Sequence, residues 1–505
     1  MTTPGWFAKA FRAISRRQIV ATSEDVEQSR KFRSLGWAHY LEEDYESAKQ
    51  NLRLACDHDL DSNLLLGHVY FNSGDYEAAE NYYKAAIEKA ALDENLQNGV
   101  AYYHCYLGKA YCRRKLFDEA LRELEKANWP VSASDQKASF LDQLAAAYID
   151  LYSSNPKCKP NLKAEILERA SKASSEALCL KPKDGDLLNS LGVVHYYQGD
   201  NAASANKTED AKSFLEKAKT RFESASRENA PTTRKAVFYL DLAFTYTFLA
   251  RLSAGDDARL HQKNALENFR KGIEQDSSNP ELFAGLAGLQ TQTEQYGEAI
   301  KNYQKAIDLA REAGRDTADY LNQLGLAHDA NGQTQEAIGK FSAAIAQRKE
   351  KSDPAWYANR GSAYLRTKQY DNAADSYGRA IDLARNADLD TTDYHNQLGI
   401  VYDEKGELDK AVLEYQEAIN QQGKPEDPVL FSNLGNAYRR MNRWADAARE
   451  LERAANLDSE NADYWNSLGN AYYGNREYDK AVQQYDKAAG LAPKNAVYPR
   501  NLGNV

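Results

Sequence analysis

The sequence predicts an all-α chain: an α-solenoid of about twelve helix-turn-helix hairpins. Three observations lead there. The 505 residues include only 12 prolines and 28 glycines, too few for an all-β chain, which turns every 8–12 residues or so. No apolar run approaches the roughly 20 residues of a spanning helix, and mean hydropathy is −0.73. Above all, the chain repeats itself. Residues 462–495 set Trp465, Leu468, Gly469, Tyr472, Ala481, Tyr485, Ala488 and Pro493 at positions 4, 7, 8, 11, 20, 24, 27 and 32 of one unit. A period near 34 residues outweighs the three globular domains that length alone suggests.

Residues 1–28 precede the repeats. Trp6, Phe7, Phe11 and Ile14 fall on one face of a helix, with Lys9, Arg12, Arg16 and Arg17 mostly opposite. Three readings fit: a helix capping the first repeat, an interfacial membrane or partner-docking helix over residues 5–20, and a mitochondrial-type transit peptide. The expected location is the cytoplasm, with mitochondrial or membrane-peripheral placement as the alternatives. Residues 29–134 hold units 1–3, anchored by Leu35-Gly36, Leu66-Gly67 and Leu107-Gly108. Residues 138–279 hold units 4–6, in which the stretch between positions 11 and 20 is expanded. SSNPKCKP, QGDNAASANKTED and LSAGDDARLHQ fill it. These polar, turn-rich segments predict longer loops between the two helices of each hairpin.

Residues 280–495 hold units 7–12, beginning near 280, 318, 354, 392, 428 and 462. The longer spacings add about one turn, as a longer second helix or a longer connection. Residues 280–353 and 354–427 are a duplication, with AIDLAREAGRDTADYLNQLG at 306–325 matching AIDLARNADLDTTDYHNQLG at 380–399. Position 8 must be small because the second helix crosses the first there, and position 20 is small for the reciprocal reason. The large positions fill the gaps between hairpins, so stability becomes a nearest-neighbour sum. In these residues the chain resembles the tetratricopeptide repeat (TPR) family. The resemblance implies a right-handed superhelix whose concave groove is lined by the first helices, chiefly at positions 2, 5, 6, 9, 12 and 13.

Residues 496–505 begin a thirteenth unit, with Leu502-Gly503 at positions 7 and 8. Arrays usually end in a polar cap, so this reads as a piece of a longer protein. Packing of the uncapped end against a partner, or against a second copy as a homo-oligomer, is the alternative.

Signs of chemistry are sparse. P-loop, HExxH, GxSxG and dinucleotide-binding motifs are absent. The five cysteines form no CxxC, and neither Cys56 nor His58 has metal-ligand spacing. His39, His195 and His328 occupy position 11, where most units have Tyr, and read as packing variants. His104, Cys105 and Cys112 share one helix without a nucleophile's signature. A net charge of −10 argues against nucleic acid as a partner. The expectation is therefore a non-enzyme with no cofactor and no metal.

What remains is binding. On the implied groove, Asn322, Asn396 and Asn466 fall at position 5, Asn359 and Asn433 at position 6, Asn436 and Asn470 at position 9. An amide offers donors and an acceptor, so a ladder of them can pair with the backbone of an extended peptide. The pattern resembles the asparagine ladder of protein O-GlcNAc transferases. A carboxylate clamp of the chaperone-binding kind is not supported, since Asn436 is accompanied by Ser432, Ser467 and Val497. The N-terminal groove, with Arg33, Trp37, Tyr40, His68, Phe71, Tyr102, Tyr106 and Lys109, suits an apolar or acidic partner helix or packing between hairpins. The expected function is a scaffold or adaptor that takes a protein or peptide in its groove. The alternatives are the substrate-recognition arm of a larger enzyme, or a peripheral membrane assembly factor.

Overall fold

The computed structural model describes residues 24–55, 60–91, 97–128, 134–155, 158–228, 230–349, 352–421, 426–493, 497 and 500–501. Trp6, Phe7, Phe11, Ile14, Cys56 and His58 lie outside them. Among the described residues there are 24 α-helices and no strand, as the all-α expectation requires. The chain divides into two compact units, Met1–Ser277 and Ser278–Val505.

The first unit opens with three short hairpins: α1 (Glu24–Leu41) with α2 (Tyr45–Ala55), α3 (Leu60–Asn72) with α4 (Tyr76–Ala91), and α5 (Gln97–Arg113) with α6 (Phe117–Lys126). Three long hairpins follow: α7 (Ser134–Ser154) with α8 (Pro160–Leu180), α9 (Gly185–Ser204) with α10 (Thr208–Arg227), and α11 (Thr232–Leu252) with α12 (Gly255–Gln275). Here the expectation of expanded loops is corrected. The extra residues lengthen the helices, which run 20 or 21 residues each. The turn from α9 to α10 takes only 205–207, and that from α11 to α12 only 253–254. The physical reason lies in a second crossing two turns past the first. A Cβ on Gly192 would sit 2.5 Å from the Phe222 ring, and one on Gly199 2.9 Å from Leu215. Buried Ala202 and Ala211 extend the contact to the hairpin tip, so polar residues there mark the wet face of a helix.

The second unit pairs α13 (Pro280–Gln292) with α14 (Tyr296–Glu312), α15 (Ala318–Ala330) with α16 (Thr334–Arg348), and α17 (Pro354–Arg366) with α18 (Tyr370–Asn386). It continues with α19 (Thr392–Lys405) and α20 (Leu408–Gln421), α21 (Pro428–Arg440) and α22 (Trp444–Leu457), and α23 (Ala462–Gly474) and α24 (Tyr478–Leu491). The two 38-residue spacings contain the 17-residue helices α14 and α18, so there the added turn is helical. Helices α13, α17 and α21 start from Asn279, Asp353 and Asp427, each accepting a backbone N–H, with proline next. That is the preferred chemistry of a helix start.

The small-residue rule holds throughout. The position-20 alanines, from Ala48 to Ala481, have no exposed surface. The large residue at position 24 packs on the small one at position 8 of its own hairpin. A Cβ on Gly399 would meet the Tyr415 ring at 2.6 Å, and one on Gly435 would meet Leu451 at the same distance. Position 24 thus closes the hairpin internally, where the sequence reading had placed it between hairpins.

Candidate peptide-binding surfaces

In the second unit the groove asparagines meet in pairs that cross from one hairpin to the next. Asn359 Nδ2 donates to Asn322 Oδ1 at 3.3 Å, Asn433 Nδ2 to Asn396 Oδ1 at 2.9 Å, and Asn501 Nδ2 to Asn466 Oδ1 at 2.9 Å. In each, position 6 of a later unit donates to position 5 of the preceding one. The pairs occupy alternate junctions, because the junctions between have Ala358 with Gln397 and Ser432 with Ser467. The amides therefore form separate clasps. Ion pairs reinforce two of these junctions, Arg366 with Asp329 and Arg440 with Asp403. Asn322 is buried, whereas Asn359, Asn396, Asn433 and Asn466 are half-buried. A clasp uses one donor and one acceptor, and each amide keeps further capacity.

The two position-9 asparagines are engaged locally. Asn470 Oδ1 accepts from the Tyr485 hydroxyl at 2.9 Å. Asn436 donates to Ser432 Oγ and accepts from Arg439, both at 3.4 Å. The Asn470 contact belongs to a pattern that sequence reasoning missed. His68 with Tyr83 (2.9 Å) and Ser362 with Tyr377 (2.6 Å) join the same positions 9 and 24. The available signal was a polar residue 15 positions before a buried tyrosine.

In the first unit the aromatic patch is mostly interlocked packing. Trp37 stacks on Tyr40 with centroids 5.2 Å apart, and Tyr40 accepts from Asn72 at 2.5 Å. His68 is buried and meets the Tyr106 ring edge-on at 4.2 Å. Burial, then the nearby Lys109 ammonium, push the His68 pKa down to about 3, so this imidazole is neutral. Tyr102 is buried against Phe140, and Lys109 donates to Gln143 at 3.0 Å. Arg33 and Phe71 are half-buried. The structure thus joins Trp37 with Tyr40 and His68 with Tyr106, and turns Tyr102 and Lys109 towards the next hairpin.

Residues 60–88, 280–350, 353–422 and 432–496 each match the tetratricopeptide repeat family. These segments are tetratricopeptide repeats. Among curated relatives, the photosystem I assembly protein Ycf3 of Prochlorococcus marinus is 28% identical over 118 residues, 23% of this chain and 66% of that one. The BBSome complex member BBS4 of Bos taurus is 31% identical over 129 residues, 25% of this chain and 24% of that protein. The matched stretches thus fall short of two thirds of either relative. Among solved structures, the APC/C hetero-tetramer Cut9-Hcn1 aligns over 94% of this chain and 96% of the other, at 14% identity and a TM-score of 0.36.

TPR geometry also accounts for the side chains that could suggest chemistry. At position 11, His195 and His328 contact Gln198 and Gln333 at 2.9 and 2.8 Å, and His39 lies 3.6 Å from Asp44. The Cys105 thiol donates to the Gln143 carbonyl at 3.5 Å, and burial raises its pKa to about 11. Burial likewise raises Cys112 to about 12, so neither supplies a thiolate. His104 pairs with Glu123, and His395 with Glu414, both at 2.7 Å and both joining TPR positions 4 and 23. Arg385 donates to His395 Nε2 at 3.1 Å, leaving Nδ1 as the donor to Glu414. Among the described residues no group of His, Cys, Asp or Glu is arranged to hold a metal, and no helix is long and apolar enough to cross a membrane.

Proposed function

We propose that this chain is a non-catalytic scaffold that takes an extended segment of a partner protein along the first helices of its second TPR unit. The observation that carries the reading is the amide clasp. Asn396 accepts through Oδ1, and among the described residues nothing is bonded to its two Nδ2 hydrogens. Asn466 stands in the same state opposite Asn501. Such donors pair with any peptide carbonyl, so they select for extended backbone and not for sequence. The relatives' names, an assembly protein and a complex member, support a role in holding proteins together.

The test separates binding from stability. Asn396→Asp with Asn466→Asp retains the acceptor oxygen of each clasp and removes the donors. Partner capture from the native lysate should drop at least about tenfold, the loss of one or two net hydrogen bonds of about 1 kcal/mol each. The thermal midpoint should hold. Undiminished capture by a folded double variant would sink the proposal.

A further inference from the structure

Position 7 is leucine in eleven of the twelve hairpins, from Leu35 to Leu468. In the second unit Leu286, Leu324, Leu398, Leu434 and Leu468 are all buried. The hairpin of α17 and α18 departs from the rule and places Arg360 there, half-buried. Breaks of a local rule of this kind are expected at functional sites.

Arg360 did not change alone. Across the duplication, Phe283, Leu286, Gln290 and Asn302 of the first copy correspond to Tyr357, Arg360, Tyr364 and Ser376 of the second. In the first copy the polar pair closes on itself, with Asn302 Nδ2 donating to Gln290 Oε1 at 2.8 Å. In the second copy the guanidinium carbon of Arg360 lies 5.3 Å from the Tyr357 ring centroid and 5.9 Å from that of Tyr364. Its Nε donates to Ser376 Oγ at 3.2 Å. Ser376 is buried and gives its own proton to the Asn372 carbonyl at 2.8 Å, so towards Arg360 it can only accept. The four N–H groups on Nη1 and Nη2 make no hydrogen bond and no ion pair among the described residues. A guanidinium taken partly out of water without a counter-charge is costly.

We propose that Arg360 is an anion site that receives a carboxylate side chain of a partner protein. The two tyrosines hold the plane of the guanidinium and Ser376 holds its Nε edge. The fork of Nη1 and Nη2 that remains matches the two oxygens of a carboxylate. Among the described residues no second cation is bonded to Tyr357, Tyr364 or Ser376. One guanidinium balances one negative charge, as a carboxylate carries, whereas a phosphate ester carries up to about two. Successive residues turn about 100° around a helix, so position 7 stands about 160° from position 9, away from the groove positions. The site therefore does not rest on the amide clasps.

The experiment measures the anisotropy of a labelled oligoglutamate peptide on the full chain at fixed ionic strength, with oligoglutamine of equal length beside it. Oligoglutamate should bind more tightly, although the chain's net charge of −10 repels it. Arg360→Leu installs the residue that the first copy has at Leu286 and should fold with an unchanged or higher thermal midpoint. It should weaken oligoglutamate binding about tenfold or more, the loss of a charge-assisted pair. Arg360→Lys keeps the charge without the fork and should weaken binding about threefold or more. Lys305→Leu makes the same change in net charge at an exposed site and should stay within about twofold. Acetate should displace the labelled peptide at no higher concentration than inorganic phosphate. Undiminished binding by the folded Arg360→Leu chain, or equal binding of oligoglutamine, would overturn the proposal. Equal losses from Arg360→Leu and Lys305→Leu would reduce the effect to net charge and overturn it too. Displacement by phosphate well below the acetate concentration would make this a phosphate site and refute the carboxylate assignment.

Discussion

Asn470 and Tyr485 illustrate how a residue at a groove position can serve the hairpin first. The tyrosine is 2% exposed, and its hydroxyl donates to the Asn470 carbonyl at 2.9 Å. Removing the amide strands a buried hydroxyl, which costs more than the bond itself contributes. Asn470→Ala should therefore lower stability by about 1–3 kcal/mol. Asn470→Ala combined with Tyr485→Phe should recover most of that loss, because both polar partners are then gone. Urea unfolding of the two single variants and the double closes the cycle, and simple additivity would refute the coupling. The same logic explains what was legible at this scale. Spacing places the seven groove asparagines on first helices, but spacing says nothing about which amide meets which. The clasps at alternate junctions depend on position 5 facing position 6 of the next hairpin, a relation between helices and not along one. The pairing of positions 9 and 24 was hidden for the same reason.

Helices and turns obey simpler rules, and most of them could be read directly. Glycine or alanine at position 8 and alanine at position 20 mark every hairpin, and a large residue stands at 24 in all but the α7–α8 hairpin, which has Ser174 there, since each is imposed by one crossing of two cylinders. In the long hairpins α7 to α12 the polar stretches that read as loop in the sequence are mostly helical. Past the first crossing the contact between the two helices narrows to a few residues, such as Gly199 against Leu215 and the buried Ala202 and Ala211, and much of the remaining surface is wet. The turns add a further regularity. Among the described residues ten hairpin turns pass through a residue with positive φ, and of those ten Gly74, Gly332 and Gly406 are glycine. Glu294 has φ 61°, and the following N–H, of Gln295, donates back to the Gln290 carbonyl at 2.8 Å. This is the Schellman closure, in which glycine carries no Cβ penalty. A left-handed non-glycine residue costs about 1–2 kcal/mol, partly offset by the greater entropy glycine loses. Glu294→Gly should thus stabilise the second unit by up to about 1 kcal/mol. A lower urea midpoint for that variant would contradict the assignment.

At the scale of the molecule, what matters is that the helices of the second unit touch only near neighbours in sequence. Each pairs with the helix before and after it, and each first helix also meets the next first helix. Stability should then behave as a sum of hairpin and junction terms, and a local defect should fade with distance along the array. Gly399 is the place to test this, because a Cβ there would lie 2.6 Å from the Tyr415 ring. Overpacking of this kind costs about 1–3 kcal/mol, and the ring cannot retreat without disturbing the next hairpin. In Gly399→Ala, native-state hydrogen exchange should show the largest loss of protection in α19 and α20. Smaller losses are expected in α17, α18, α21 and α22, which share junctions with that hairpin. Helices α13 and α14 are two hairpins further from the defect than any second-helix contact reaches, so their protection should stay unchanged. A uniform loss from α13 to α24 would mean that the unit opens as one cooperative block. In that case the clasps Asn322–Asn359 and Asn396–Asn433, with the ion pairs beside them, would be the contacts that transmit the defect. Breaking one clasp should then restore local behaviour, because it removes a junction term without touching any hairpin core.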